Sequence, residues 1–327
     1  MVKMSGMLRL FSSFSLFISP MMILSICLVF LGPTMSLTSD NLYGVWLGLE
    51  LNLFAFIIMM NPEGFWIAEP CIKYFVVQVI GSSFVLISAM TLNFFYASYS
   101  LFLSLIGFFI KAGIFPFHSW VPSVVNSSDW LVSGMVLTWQ KLVPFIFVGF
   151  MSNYYILFVA LVAMGILGGV GGLNQHSVRS MSAYSSFVHS SWMLASFMSS
   201  LITFLFYFLF YCVSLYIFFY GCCKVGKSYA KNKTVSFLGC LGILMLSGIP
   251  PMSGFFPKVV VFLSVDSLVV LWCVISSFIS LKYYLSYFYL MLISSYNKDS
   301  FYNFSWFHFF FIVFFNLISF VYLLTII

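Results

Sequence analysis

Phe109-Ile-Lys-Ala-Gly-Ile-Phe-Pro-Phe-His-Ser-Trp120 puts a lysine, a glycine and a proline inside one long apolar stretch. Proline removes a backbone hydrogen bond and its ring clashes with the preceding turn. A helix crossing this stretch must therefore kink or unwind near Gly113 and Pro116. Carbonyls released by such a break need polar side chains or water, and Lys111 is already beside them. A second stretch reads the same way. Leu246-Ser-Gly-Ile-Pro-Pro-Met-Ser-Gly-Phe-Phe-Pro-Lys258 sets two prolines between Gly248 and Gly254, and Lys258 opens the continuation. Interrupted apolar helices that carry ionisable groups belong to membrane transport folds.

Composition agrees. The 327 residues are 63% hydrophobic and only 6% charged, with a mean hydropathy of +1.11, which excludes an ordinary water-soluble domain. Roughly 20 apolar residues cross a bilayer. By that measure the chain holds about eleven spans, at 10–31, 41–61, 70–91, 98–117, 130–150, 153–173, 181–199, 201–223, 236–264, 267–293 and 304–327. The interrupted helices are the fourth members of two five-helix sets, 10–150 and 153–293, followed by a C-terminal helix at 304–327. An odd number of helices per set makes the second set start on the opposite side, so the expected architecture is a single all-α membrane domain built from inverted repeats.

Charge placement supports this helix order. Lys3, Arg9, Lys73, Arg179, Lys224, Lys227, Lys231, Lys233 and Lys298 fall at the N-terminus or in even-numbered loops, whereas the odd-numbered loops carry Asp40 and Asp266. That is the positive-inside pattern. The formal net charge of +6 is used up in this asymmetry and in buried lysines, so it does not argue for nucleic acid as a partner. The connecting loops are too short to fold around a nucleotide, flavin or iron–sulfur cluster. Seven cysteines form no C-x-x-C pair and have no histidine at ligand spacing, so no metal site is expected and the thiols read as packing groups. The glycines at 165, 168, 169, 171 and 172 fit close helix packing rather than a phosphate loop, because no strand precedes them. The first apolar run is longer than a signal-peptide core and reads as a helix. The abundance of Phe, Tyr and Met (43, 19 and 18) is what a T-rich organelle genome would give.

Glu50 sits mid-helix in Trp46-Leu-Gly-Leu-Glu-Leu-Asn-Leu-Phe54. A charge at that depth costs about 2.5–3.5 kcal/mol on insertion scales unless it is protonated, hydrated or paired, and a buried lysine is its natural partner. Burial favours the neutral amine and a nearby carboxylate favours the ammonium. A lysine whose carboxylate approaches or retreats can therefore take up or release a proton. Lys111, Lys141 in Trp139-Gln-Lys-Leu-Val-Pro144, and Lys258 are the candidates; the alternative is that a lysine snorkels to the interface. His189, in Ala183-Tyr-Ser-Ser-Phe-Val-His-Ser-Ser-Trp192, is either a packing residue or a relay, and Ser185 shares its helix face. Lys282 is a further basic candidate. His118 and His308 read as interfacial residues and His176 as a loop residue.

Ordered motifs over residues 41–260 resemble one family. They are the Trp46-x-Gly-Leu-Glu-Leu-Asn52 run, Lys73-Tyr-Phe75 with Gln78, Lys111-x-Gly-x-x-Pro-Phe-His-x-Trp120 and Trp139-Gln-Lys141. Asn174-Gln175, Arg179, Ala183-Tyr-Ser-Ser186, His189, Pro250-Pro251, Gly254-Phe255 and Pro257-Lys258 follow in order. In this the chain is similar to the antiporter-like membrane subunits of respiratory complex I, which are related to multisubunit cation/proton antiporters. The resemblance implies a core membrane subunit of an H+-translocating NADH:ubiquinone reductase, in the mitochondrial inner membrane. It implies that Glu50 is the paired carboxylate, Lys111 its partner, Lys141 the central lysine and Lys258 the terminal lysine of a proton path. NADH, FMN, iron–sulfur clusters and ubiquinone are then expected in other subunits, with no cofactor in this chain. Its partners would be the other membrane and accessory subunits, and lipids such as cardiolipin. The alternatives are a free-standing cation/proton antiporter and a purely structural membrane-arm subunit. The family's late helix-10 arginine is absent, with Ser286 near that position and Lys282 one turn earlier.

Overall fold

The computed structural model describes residues 20–60, 68–92, 97–227, 233–250 and 252–296. Every regular element among them is a helix: α1 (Pro20–Thr38), α2 (Leu42–Met60), α3 (Ala68–Thr91), α4 (Ala97–Ala112), α5 (Trp120–Ser127), α6 (Trp130–Leu137), α7 (Trp139–Met151), α8 (Tyr154–Gly172), α9 (Val178–Ser199), α10 (Leu201–Lys227), α11 (Lys233–Ser247), α12 (Phe255–Ser264) and α13 (Ser267–Tyr296). Seven segments among the described residues are long and apolar enough to cross a membrane. Six of them match the expected spans 41–61, 70–91, 130–150, 153–173, 201–223 and 267–293; the seventh, Met21–Thr38, overlaps the second half of the expected span 10–31, whose first ten residues lie outside the described ones. The expected spans 98–117 and 236–264 appear instead as shorter apolar helices flanking breaks. The expected span 304–327 lies outside the described residues, as does His308.

Several boundaries differ for physical reasons. α1 runs on to Thr38 with Pro33 inside it, past the expected end at residue 31. The expected helix at 130–150 is two helices, because Thr138 leaves helical geometry (φ −115°, ψ −84°) and turns its hydroxyl onto the Gly134 carbonyl at 2.7 Å. The Thr138 N–H donates to the same carbonyl at 3.1 Å, so hydroxyl and backbone share it. Lys73 and Arg179 are helical rather than loop residues: Lys73 pairs with Glu69 one turn away on an exposed face of α3 at 2.6 Å. The Arg179 guanidinium donates to the Ser128 carbonyl at the end of α5 and lies over Trp130.

The chain forms two compact units, one ending at Lys111 and one beginning at Ala112. In the first, α1 crosses α2 where Gly32 meets Gly48; a Cβ on Gly48 would lie 2.6 Å from the Gly32 carbonyl oxygen. α3 meets α4 in the same manner at Gly81 and Gly107. Glycine pairs substitute backbone proximity for side-chain interlock where lipid supplies no hydrophobic drive. In the second unit, α8 uses Gly168 to approach the α9 backbone, while Gly165 and Gly169 face Ser276 and Ile279 of α13.

α9 organises the second unit, packing against α5, α6, α7, α8, α10, α12 and α13. From Ser180 to Ser196 it is almost wholly buried. Its serines make it too polar to rank with the seven apolar spans, yet each buried hydroxyl has a partner. Ser182, Ser185, Ser186, Ser190, Ser191 and Ser196 donate to carbonyls one turn back. This satisfies the hydroxyl proton and leaves the oxygen free to accept from a neighbour.

Candidate functional site

In the first unit, α4 ends at Ala112 because Gly113 takes a left-handed conformation (φ +67°), the usual glycine stop. Lys111 lies in its last turn and is 4% exposed. Its stem passes under Gly81, where a Cβ would sit 2.8 Å from Lys111 Cγ. The carbonyl of Lys111 has lost its helical partner and accepts from Gln78 Nε2 at 3.3 Å. That leaves the ammonium free of capping duty. Glu50, half-buried on α2, is near enough for its charge to act on the ammonium. Among the described residues the ion pair within contact distance is Lys73 with Glu69, so Glu50 and Lys111 are neighbours without being locked together.

The second unit gathers Lys141, His189 and Lys258 around α9. Lys141, 3% exposed, follows the Thr138 break and donates to Ser186 Oγ at 3.0 Å, with the Phe187 ring 5.7 Å away. The Leu137 carbonyl freed by that break accepts from Tyr211 Oη at 3.3 Å. His189 is held on both ring nitrogens, by Tyr207 Oη at 3.0 Å on Nδ1 and Tyr284 Oη at 3.4 Å on Nε2. The Tyr211 ring lies 4.9 Å from the imidazole. Lys258 folds back across the second break, donating to the Ser247 carbonyl at 2.8 Å and lying 5.8 Å from the Trp192 ring. Gly248 (φ +68°) makes room for it; a Cβ there would stand 2.7 Å from Nζ. Both lysines are close enough for their charges to act on His189.

Lys111, Lys141 and Lys258 are thus at helix interruptions, His189 is on the serine-rich helix, and Glu50 is inside α2. Glu50 meets Lys111, and Lys141 and Lys258 meet around His189. Ser186 rather than Ser185 takes the Lys141 ammonium, while Ser185 comes within reach of Tyr284. Lys282 is exposed on α13. His176 is in the loop before α9, and His118 lies in the first break, edge-on to Phe187. Sequence reading missed Tyr207, Tyr211 and Tyr284. The spacing of Tyr207 and Tyr211, four residues apart on one helix, was the available signal. It also missed the Thr138 break, which has neither glycine nor proline to announce it.

Residues 39–282 match the family described as NADH:quinone oxidoreductase/Mrp antiporter, TM. The chain belongs to this family. The match extends beyond the 41–260 stretch of motifs and takes in all five candidate residues. Among relatives, NADH-ubiquinone oxidoreductase chain 2 of Mytilus edulis is 46% identical over 275 residues, covering 84% of this chain and 88% of that protein. The protein of the same name from Locusta migratoria is 33% identical, covering 86% of this chain and 88% of its own length. Among solved structures, a chain of respiratory complex I from Thermus thermophilus superposes with a TM-score of 0.72 at 19% identity, covering 86% of this chain and 71% of that one. A chain of the Mrp complex from Dietzia gives 0.72 at 17% identity, covering 80% and 58%. These two show the family fold.

Proposed function

We propose that this chain is a core membrane subunit of mitochondrial complex I and takes part in proton translocation coupled to NADH oxidation by ubiquinone. The observation that carries the reading is the placement of Lys111, Lys141 and Lys258 at helix interruptions, out of ion-pair contact with any described carboxylate. A passive spacer would be more stable with leucine at such positions. The family match and the relatives named NADH-ubiquinone oxidoreductase chain 2 support the assignment to complex I.

The chain's own groups work by electrostatics. Redox events elsewhere shift charge toward or away from Glu50, Lys111 answers by taking up or releasing a proton, and Lys141, His189 and Lys258 carry out the same exchange in their own unit. Each charge moved against 100 mV costs about 2.3 kcal/mol, a cost met by the redox reaction. NADH, FMN, iron–sulfur clusters and ubiquinone are assigned to other subunits, and the membrane is the mitochondrial inner membrane. The sets 10–150 and 153–293 are read as inverted repeats, supported by two interruptions that each begin at a left-handed glycine.

The test is to solubilise the native membrane in mild detergent, resolve its complexes on a native gel and locate this chain by mass spectrometry. Comigration with NADH dehydrogenase activity in a large assembly is the expected result. A small, NADH-inactive band would overturn it in favour of a free-standing cation/proton antiporter, which the Dietzia fold likeness accommodates equally well.

A further inference from the structure

Between α6 and α7 the backbone hydrogen bonds have changed partners. In a regular helix the Lys141 N–H donates to the Leu137 carbonyl, four residues back. Here it donates to the Thr138 carbonyl, three back, at 3.0 Å. The Leu137 carbonyl is taken over by the Tyr211 hydroxyl of α10 at 3.3 Å, and because a carbonyl only accepts, the direction of this bond is fixed. Leu137 is 0% exposed and Tyr211 2%, so bulk water does not stand in for either partner. Two arrangements therefore compete for one carbonyl. With the helix interrupted, Tyr211 holds it; with the helix continuous, the Lys141 N–H holds it and a buried phenol loses this acceptor. α6 is anchored on α10 at its other end too, where Trp130 packs edge-on to Phe219 at 5.5 Å and Gly134 faces the same ring. α7 brings Lys141 to Ser186 of α9. The pivot between them is Thr138, whose torsions (φ −115°, ψ −84°) each lie about 40–50° from helical values.

We propose that Tyr211 is a positioning residue for Lys141: its hydroxyl holds the α6–α7 interruption open, and the open form is the one that presents the ammonium to Ser186. This rests on the proton-translocating reading above. The other two interruptions are fixed within the chain by left-handed glycines, Gly113 and Gly248. Thr138 has no such backbone, and its hydroxyl bond to the Gly134 carbonyl at 2.7 Å is of a kind that regular helices also contain. Nothing local therefore forbids the α6–α7 helix from closing, and the hold comes from α10. The Ser186 hydroxyl donates its own hydrogen to the Ala183 carbonyl at 2.6 Å, so toward Lys141 it is an acceptor at a fixed place on buried α9. Return of the Lys141 N–H to Leu137 turns Thr138 through both torsions. That swings the start of α7 against α6 and carries the lysine, three residues past the pivot, off that acceptor.

The experiment compares Tyr211→Phe, Ser186→Ala, Lys141→Ala and the double variant Tyr211→Phe/Ser186→Ala in the assembled native complex. Phenylalanine keeps the ring against His189, 4.9 Å away, and removes only the hydroxyl. Three quantities are read: NADH oxidation with an artificial electron acceptor, which counts assembled complex; the rate of proton movement with ubiquinone, divided by the first; and the backbone path around Thr138, by electron cryomicroscopy. For Tyr211→Phe the expected result is roughly fivefold slower proton movement per assembled complex, the scale on which one hydrogen bond shifts a population. The helix from α6 to α7 should be continuous, with the Lys141 N–H on the Leu137 carbonyl. In the Ser186→Ala background Tyr211→Phe adds little further, because it acts by placing Lys141 on that serine. A helix still interrupted in Tyr211→Phe with Lys141 on Ser186, losses that multiply in the double variant, or normal proton movement per complex with earlier heat inactivation would each overturn the proposal. If Tyr211→Phe does not assemble, Thr138→Ala raises helix propensity at the pivot and shifts the same equilibrium from within the chain. It should slow proton movement roughly twofold, and unchanged movement there overturns the proposal as well. Lys141→Ala separates the two levels: if it pumps normally, the translocation reading of this lysine falls, whereas if it is impaired and Tyr211→Phe is normal, only this inference falls.

Discussion

The two interrupted helices solve one problem in two ways. Each ends its first half at a left-handed glycine, Gly113 or Gly248, and each leaves a carbonyl without a helical partner. At the first break the lysine precedes the gap, and Gln78 from a neighbouring helix accommodates the carbonyl of Lys111. At the second break the lysine follows the gap and its own ammonium takes the Ser247 carbonyl. Lys111 is therefore free to respond to Glu50, whereas Lys258 is also a structural cap. The same residue type at the same kind of break carries one duty in the first unit and two in the second.

The largest expected effect tests the free lysine. Lys111→Ala and Glu50→Gln should each lower proton movement per assembled complex by roughly tenfold or more, while the heat-inactivation temperature of the solubilised complex stays near its starting value. Vesicle acidification normalised to acceptor-linked NADH oxidation reads the first quantity. Full pumping in either variant would break the path at its first pair. Lys258→Met should differ in kind. It slows pumping and also strands the Ser247 carbonyl, at a cost of about 1–3 kcal/mol, so heat inactivation comes several degrees earlier than for Lys111→Met. Equal thermal behaviour of the two methionine variants would remove the distinction between free and capping lysine.

Gly248→Ala and Gly113→Ala sharpen the comparison at smaller scale. Both force a side chain into left-handed backbone, at about 1–2 kcal/mol each. A Cβ at 113 meets Val121 Cγ2 at 2.5 Å, whereas one at 248 meets the Lys258 ammonium at 2.7 Å. Thermal stability should fall in both, and proton-coupled turnover should fall further in Gly248→Ala. Equal turnover in the two would mean that the Lys258 position tolerates displacement.

Much of this was legible in the sequence because glycine and proline punctuate apolar segments strongly. The breaks after Lys111 and before Lys258, the spans around them and the packing role of the α8 glycines follow from residue type alone. The Thr138 break was illegible because a threonine that bonds the carbonyl four residues back is common inside helices, and neither glycine nor proline marks this one. Of the tyrosines around His189, Tyr207 and Tyr211 share a face of α10 by their four-residue spacing, but their convergence with Tyr284 of α13 on the histidine is long-range and leaves no local pattern. α9 shows the reverse. Its serines look too polar for a span, yet the i−3 hydroxyl bonds make the helix buriable, and that is why it can sit at the centre and carry the histidine.

The smallest effect falls on the cap at the first break. Gln78 is 5% exposed, and its amide meets the Lys111 carbonyl at 3.3 Å, beyond the usual 2.9–3.0 Å for such a bond. A long hydrogen bond contributes at the low end, so Gln78→Leu should cost about 1 kcal/mol and advance heat inactivation only slightly. Its effect on pumping is the sharper readout. Without the amide, the Lys111 ammonium is expected to turn to its own helix end, as Lys258 does at the second break, and a lysine drawn to that carbonyl is held away from Glu50. Gln78→Leu should then resemble Lys258 in the wild-type protein, a lysine that caps, and show slowed pumping beside nearly intact stability. Unchanged pumping in Gln78→Leu would show that the ammonium keeps its place beside Glu50 without the amide, and that the division of labour at the first break does not depend on Gln78.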